Sequence, residues 1–226
     1  MSIALRAYAD SEDFSPGGAV GPRLIFEFSR ELLPSYGWVF PTGDGVVNIG
    51  VGGPLREIQK RGQDIKALLA VFTRQIRDRG IRIGPLRDQR AHHLPLVGAM
   101  PALTYPRAAL IGDAASMINP VSGEGIAYAV TAAARLIEAL PQDLGDSAAL
   151  TSALARFERD FRLTYRSHFL SSRVAHRLMC NPYWASMMVR SAQRDPQVLR
   201  DAIDLLFGFG RIHATTAARI IRSGVH

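Results

Sequence analysis

Residues 111–128 carry the side chains whose types and spacing could do chemistry: Ile-Gly-Asp-Ala-Ala-Ser-Met-Ile-Asn-Pro-Val-Ser-Gly-Glu-Gly-Ile-Ala-Tyr. An apolar run over 108–111 ends in Gly112-Asp113. Pro120, Gly123 and Gly125 follow, and then a helical pattern over about 125–140. That order reads as strand, ligand-facing turn and helix. Asp113 falls where a strand tip becomes a loop, placed to accept hydrogen bonds from ligand hydroxyls. Gly123 and Gly125 have no Cβ, so the backbone can approach a flat ligand closely. The helix start would aim N–H groups and a partial positive charge at whatever stands before it, which suits a planar ligand that develops negative charge. An ordinary strand–turn–helix with a capping aspartate would use the same residues.

The elements around this segment follow from periodicity. Residues 36–52 form a β-hairpin pattern: Tyr36, Trp38 and Phe40 alternate on one face, Gly43-Asp44-Gly45 turn, and Val47, Ile49 and Val51 alternate on the return. Leu24, Phe26 and Phe28 share the period and should pair in the same sheet. Residues 61–79 fit an amphipathic helix with Ile65, Leu68, Leu69, Phe72 and Ile76 on one side, ended by Gly80 and Gly84-Pro85. Residues 87–97 read as a strand returning to the sheet. On it, His92 and His93 would face opposite ways and could not chelate one metal ion, so no metal site is expected. From Ser147 onward the pattern is helical, with Phe157, Phe161 and Tyr165 every four residues and Pro182 and Pro196 opening new helices.

Two stretches together resemble one family. Residues 111–128 are similar to the second flavin motif of FAD-dependent oxidoreductases related to aromatic hydroxylases and geranylgeranyl reductases. The run Tyr-Gly-Trp-Val-Phe-Pro, followed by Gly-Asp-Gly and Asn-Ile-Gly-Val-Gly, resembles the geranylgeranyl reductases in particular. The resemblance implies FAD as cofactor. Gly112 and Asp113 would hold its ribityl and pyrophosphate region, and Pro120, Gly123, Gly125 and Ile126 would line the isoalloxazine ring. It also implies Tyr36, Trp38 and Phe40 on the substrate side, where aromatic faces suit a prenyl chain because they bury apolar area without requiring hydrogen bonds. Pro95 and Leu96 would lie on the cofactor side, and Met179, Met187 and Met188 with Trp184 would offer an adaptable apolar surface beside the channel.

The implied activity is reduction of C=C bonds in an isoprenoid chain of a lipid, quinone or pigment precursor, with no catalytic acid nominated. A flavin-dependent aromatic hydroxylase is the alternative enzyme, and a lipid-binding module or inactive remnant the non-enzyme. Relatives of this kind begin with a Gly-x-Gly-x-x-Gly unit that seats the pyrophosphate. No such motif occurs here, so the resemblance covers the C-terminal part of the family's protein. It implies a longer polypeptide, or a separate N-terminal FAD-binding chain as partner.

The expected fold is α+β, a fragment of an α/β FAD-binding fold: a mixed or antiparallel sheet with one long helix in 1–100, the flavin-binding strand–loop–helix in 101–145, and a basic helical region in 146–226. Residues 1–146 are charge-neutral, so all of the net +7 lies in 147–226, which holds 12 of the chain's Arg. Helices of that kind are drawn to anionic lipid headgroups. Nucleic acid is not expected as a partner, because the basic residues are not interleaved with stacking aromatics. The one cysteine, Cys180, excludes an internal disulfide and fits a reducing cytoplasm. No run approaches the roughly 18 consecutive apolar residues of a membrane span, so a cytoplasmic protein, peripheral to a membrane at most, is expected.

Overall fold

The computed structural model describes residues 1–96, 100–208 and 210–224, which fall into two compact units, Met1–Leu94 and Pro95–His226. The first unit is built on a five-stranded antiparallel sheet of β1 (Ser2–Asp10), β2 (Ile25–Glu27), β3 (Tyr36–Gly43), β4 (Val46–Pro54) and β5 (Arg87–Leu94), in the order β2-β3-β4-β1-β5. The expected hairpin is β3–β4, with Trp38 opposite Gly50 and Val39 opposite Ile49. Asp44 and Gly45 form its tip, both with φ in the left-handed region (52° and 71°). Every adjacent pair of strands is antiparallel, while β4 and β5, both antiparallel to the β1 strand between them, run parallel to each other and are joined by a crossover connection that contains two helices.

One face of this sheet is covered by α1 (Leu55–Lys60) and α2 (Ile65–Asp78). Asp64 caps α2 by accepting the Ala67 N–H at 3.2 Å. Its apolar stripe, Leu68, Leu69, Phe72 and Ile76, packs on Leu5, Ala7, Val39, Ile49 and Val51. Each such side chain, fully buried, contributes roughly 1.5–3 kcal/mol. The fit is tight: a Cβ on Gly37 would come within 2.6 Å of the Phe72 ring.

Among the described residues, the second unit contains a two-stranded ribbon, β6 (Thr104–Tyr105) with β7 (Ala108–Ala109), and five α-helices: α3 (Ile126–Ala139), α4 (Ser147–Met179), α5 (Pro182–Arg194), α6 (Pro196–Phe207) and α7 (Ala214–Gly224). Both prolines stand in the first turn of their helices, where the missing N–H costs nothing. Asp146, Asn181 and Asp195 cap α4, α5 and α6 through their side-chain oxygens. The aromatic repeat on α4 faces inward, and Phe157, Phe161, Tyr165 and Phe169 meet Tyr128 and Ala132 of α3.

Two sequence expectations need adjusting. The apolar run 108–111 forms only a two-residue strand, because its ladder partner is the equally short β6. The returning strand ends at Leu94; Pro95 and Leu96 continue without regular structure, and Val97 lies outside the described residues. Among the described residues no helix is long and apolar enough to cross a membrane, and no cluster of three or more metal-binding side chains occurs.

Candidate functional site

The turn after β7 is a 3-10 segment, Gly112–Ala115. Gly112 has φ +62°, where a side chain would be strained, and a Cβ there would already touch Ala129 of α3 at 3.4 Å. Ser116 also sits in the left-handed region, with φ 55° and ψ 33°, and donates its N–H to the Asp113 carbonyl at 2.9 Å. The chain thereby folds back so that Asp113 stays exposed against the start of α3. A Cβ built on Gly125 would lie 3.8 Å from Asp113 Oδ1 and 3.1 Å from the Met117 carbonyl oxygen. Gly112, Asp113 and Gly125 are thus brought together, and the space beside Gly125 is one that any side chain would fill.

The return loop 117–125 is anchored from below. Asn119 is fully buried. Its Oδ1 accepts the Val121 N–H at 2.9 Å, an Asx-type turn, and its Nδ2 donates to the Leu205 carbonyl at 2.7 Å. Ser122 Oγ donates to the Leu206 carbonyl at 2.6 Å. Two otherwise orphaned carbonyls in the last turn of α6 are therefore satisfied by the loop itself. Pro120 is buried, Gly123 has φ +70°, and Ile126 is 79% exposed at the first position of α3.

The helix start differs from the sequence expectation in one respect. Glu124 Oε1 accepts the Ala127 N–H at 2.8 Å, so one first-turn donor is already satisfied from within the chain. That carboxylate sits favourably at the positive end of α3.

Behind the loop lies a buried relay that sequence reasoning missed. Tyr128 and His168 Nε2 are 2.6 Å apart, and His168 Nδ1 lies 2.6 Å from the Gly210 carbonyl. A carbonyl can only accept, so Nδ1 carries the proton and Nε2 accepts from the tyrosine hydroxyl. Desolvation lowers the His168 pKa and pushes the Tyr128 hydroxyl up to about 12, which keeps both groups neutral. The only signal in the sequence was polar residues at core-facing helical positions. Asn119 before Pro120 was a readable turn signal, but its long-range partner was not.

A further clamp holds β6. Glu158 Oε2 accepts both the N–H and the Oγ1 hydrogen of Thr104, at 3.0 and 2.8 Å. Arg162 pairs with Glu158 and donates to the Met100 and Pro101 carbonyls.

The aromatic residues belong to the first unit, on the sheet face opposite α2. Tyr36, Trp38 and Phe40 are half-buried and form a continuous ladder with Phe26 and Phe28. Ring centroids are 5.0 Å apart for Phe26 and Phe40, 5.5 Å for Phe28 and Tyr36, and 5.9 Å for Tyr36 and Trp38. The indole lies flat because β4 offers it a glycine floor: a Cβ on Gly50 would come within 2.3 Å of Trp38 Cζ2. Trp38 Nε1 donates to Asn48 Oδ1 at 2.9 Å, satisfying the one polar atom of the ring. Burial pushes the Tyr36 hydroxyl far above the ordinary tyrosine range. This face can bury apolar ligand surface while asking for no hydrogen bond.

No family-wide sequence profile matches the chain. Over 126 residues it is 33% identical to the menaquinone reductase of Mycolicibacterium smegmatis, a span of 56% of this chain and 31% of that enzyme. Over 137 residues it is 36% identical to the menaquinone reductase of Mycobacterium tuberculosis, covering 60% of this chain and 33% of the relative. A digeranylgeranylglycerophospholipid reductase of Thermoplasma volcanium is 33% identical over 95 residues, or 42% of this chain and 23% of that one. The fold is shared with a geranylgeranyl bacteriochlorophyll reductase-like protein of Thermoplasma acidophilum (TM-score 0.63, 19% identity), across 98% of this chain and 51% of the neighbour. It is shared as well with a flavin-dependent brominase, at TM-score 0.59 and 15% identity over 98% and 54% of the two chains. The matched spans thus amount to about a third of the length of these menaquinone reductases and about half of the solved neighbours.

Proposed function

We propose that this chain, a homologue of menaquinone and geranylgeranyl-type reductases over part of their length, is the substrate-side part of a flavoenzyme that reduces C=C bonds in an isoprenoid chain. The observation that carries this reading is the 112–125 turn. A left-handed glycine, an exposed Asp113 and a Cβ-free Gly125 meet at the start of a helix. Those are the groups that would receive a ribityl chain and the edge of a planar ring.

The residues fit FAD. Asp113 would accept hydrogen bonds from ribityl hydroxyls, Gly112 and Gly125 would let the backbone lie against the cofactor, and Pro120, Gly123 and Ile126 would line its ring. The N-terminal charge of α3 favours negative charge on a reduced ring, although Glu124 offsets part of it. The chemistry a bound FAD supplies is hydride transfer to one carbon of an isolated double bond, with a proton added at the other. An unactivated alkene offers no carbonyl to polarise, so the protein's share of catalysis is positioning. The Phe26–Phe28–Tyr36–Trp38–Phe40 face supports that role, because it can hold an apolar chain without competing polar groups. Exposed Leu163, Leu170 and Val174 form a stripe on α4, and Arg166, Arg173 and Arg177 occur along the same stretch of helix. They support contact with a membrane surface, where a prenylated substrate is dissolved.

The test is a flavin titration of the purified chain, followed by visible absorbance and flavin fluorescence. Saturable FAD binding that Asp113→Ala weakens by about 10-fold, the worth of one charge-assisted hydrogen bond, is the expected result. A chain that unfolds cooperatively yet binds no FAD, or binds it equally well without the Asp113 carboxylate, would overturn the assignment. Products gaining two hydrogens separate the reductase from a hydroxylase, whose products gain oxygen.

A further inference from the structure

The face of the five-stranded sheet opposite α2 changes character from one side to the other, and the strand register shows where. One row of directly opposed residues runs Phe26, Trp38, Gly50, Arg6 and Arg90 across β2, β3, β4, β1 and β5. The next row runs Tyr36, Gly52, Ala4 and His92 across β3, β4, β1 and β5. Directly opposed residues share a face, so Arg6, Arg90 and His92 stand on the same face as the aromatic ladder. That face is aromatic on β2 and β3, bare glycine at Gly50 and Gly52 of β4, and basic on β1 and β5. Neighbouring strands lie about 4.8 Å apart, so the basic strands run about 5 and 10 Å beyond the glycine floor.

Like charges directly opposite one another destabilise a strand pair, and the sheet does not neutralise these two arginines. Among the described residues neither Arg6 nor Arg90 forms an ion pair. Arg6 donates to the Asp88 backbone carbonyl at 3.1 Å, and its guanidinium lies 4.6 Å from the centre of the Tyr8 ring. Each of the two strands carries one carboxylate. Asp10 is held by Arg87 at 2.8 Å. Asp88 sits in the irregular stretch of β5 between the partners of Arg6 and Tyr8, with φ 51° and its charge close to Arg87. Arg90 and His92 are exposed. Between Tyr36 and His92 the floor is Gly52 and Ala4, so no side chain of that row larger than a methyl divides the aromatic half from the basic half. The Trp38 indole forms the wall beside it: a Cβ on Gly52 would lie 3.5 Å from Trp38 Cζ3.

We propose that Arg6, Arg90 and His92 form a headgroup site for an anionic isoprenoid. A phosphate or diphosphate bridges the two guanidinium groups, and its prenyl chain crosses Gly52 and Ala4 onto Tyr36, Trp38 and Phe40. This deepens the isoprenoid-reductase reading and rests on it, narrowing the substrate to a prenyl phosphate ester. Guanidinium forks match phosphate oxygens in a bidentate manner. An anion held between two opposed arginines also removes their mutual repulsion, which an uncharged quinone ring cannot do. His92 adds an imidazole donor one row away, while the aromatic half offers nothing that competes for the charge.

The experiment titrates a Trp184→Phe chain with farnesyl diphosphate, farnesyl phosphate, farnesol and inorganic pyrophosphate, reading Trp38 fluorescence. At least one phosphate ester should bind about 10-fold or more tightly than farnesol, the worth of a charge-assisted hydrogen bond, and the tighter ester identifies the headgroup. Added salt should shrink that advantage. Arg6→Gln and Arg90→Glu should each bring the ester close to farnesol while leaving farnesol itself unchanged. Arg90 is exposed, so its variant keeps the test valid should Arg6→Gln unfold the sheet. Arg56→Glu makes the same charge change on α1, across the sheet, and should alter nothing. Three results would overturn the proposal: esters bound no better than farnesol, a preference that survives both arginine variants or is equally lost in Arg56→Glu, or pyrophosphate bound as tightly as the esters. Farnesol bound without any ester preference removes the headgroup site and keeps the isoprenoid reading. Failure of every lipid to bind removes both.

Discussion

Replacing Asn119 with Ala would remove a fully buried amide that ties the 117–125 loop to the end of α6. Two of its hydrogen bonds are short enough to count, Val121 N–H to Oδ1 at 2.9 Å and Nδ2 to the Leu205 carbonyl at 2.7 Å. Two longer contacts, with the Ser122 N–H and with the Tyr128 hydroxyl at 3.4 Å each, add little. Val121 and Leu205 are each only 7% exposed, so water cannot readily replace the lost partner. Each orphaned group costs about 1–3 kcal/mol, which places Asn119→Ala at about 3 kcal/mol, or a fall in Tm of about 10 °C. The chain's two tryptophans, Trp38 and Trp184, fall one in each compact unit. In a Trp38→Phe background, Trp184 fluorescence during urea unfolding therefore reports on the second unit alone. Asn119→Asp sharpens the test, because it keeps an acceptor for Val121 but sets a carboxylate against the Leu205 carbonyl. It should be at least as destabilising as Ala at neutral pH, and should recover when acid protonates it. A loss below about 1 kcal/mol for Asn119→Ala, or an Asp variant as stable as the parent, would refute the assignment of these bonds as net stabilising.

Two further predictions follow from the same geometry. Desolvation holds His168 and His176 below the ordinary histidine value of 6.5 in the folded chain, so the unfolded chain binds more protons. The stability they contribute is complete above that value and is lost as pH falls through it towards the folded pKa. Urea stability read by Trp184 should fall on going from neutral to mildly acidic pH, less steeply in His168→Gln, and an unchanged slope would remove His168 as the cause. In the first unit, Gly50→Ala would drive a methyl to 2.3 Å from Trp38 Cζ2 and 2.6 Å from the Leu5 carbonyl. It should cost about 1–3 kcal/mol and red-shift Trp38 emission in a Trp184→Phe background; native emission and stability would show that the sheet has room there.

Much of the fold was legible because it is periodic. The period-2 runs gave the β3–β4 hairpin and its aromatic face, the 3.6-residue pattern gave α2, and Pro182 and Pro196 marked two helix starts. Each is a local property of ten or so residues. The turn at 112–125 was legible for a related reason: backbone that must adopt positive φ, or approach another group closely, leaves glycines in the sequence. What local patterns do not carry is the identity of a partner. The run 108–111 is as apolar as a core strand, yet it pairs over two residues only, because a strand's extent depends on its neighbour.

The same limit explains the missed relay. Asn119, Tyr128, His168, Leu205 and Gly210 meet across as many as 91 residues of chain. Nothing about a histidine in a helix announces a tyrosine 40 positions away. The alternation of Tyr36, Trp38 and Phe40 was plain from the residues, but not that α2 covers the opposite face of their sheet. Nor did the composition of α3, apolar almost throughout, reveal which side this chain buries. The sequence by itself determined the hairpin, the periodic helices, the two proline helix starts and the glycine turns, because those depend on backbone conformation and on side-chain chemistry within a few residues. Only the tertiary structure decided which faces are covered, which polar groups are satisfied and which stripe is left bare, because burial is a property of the neighbours a residue acquires.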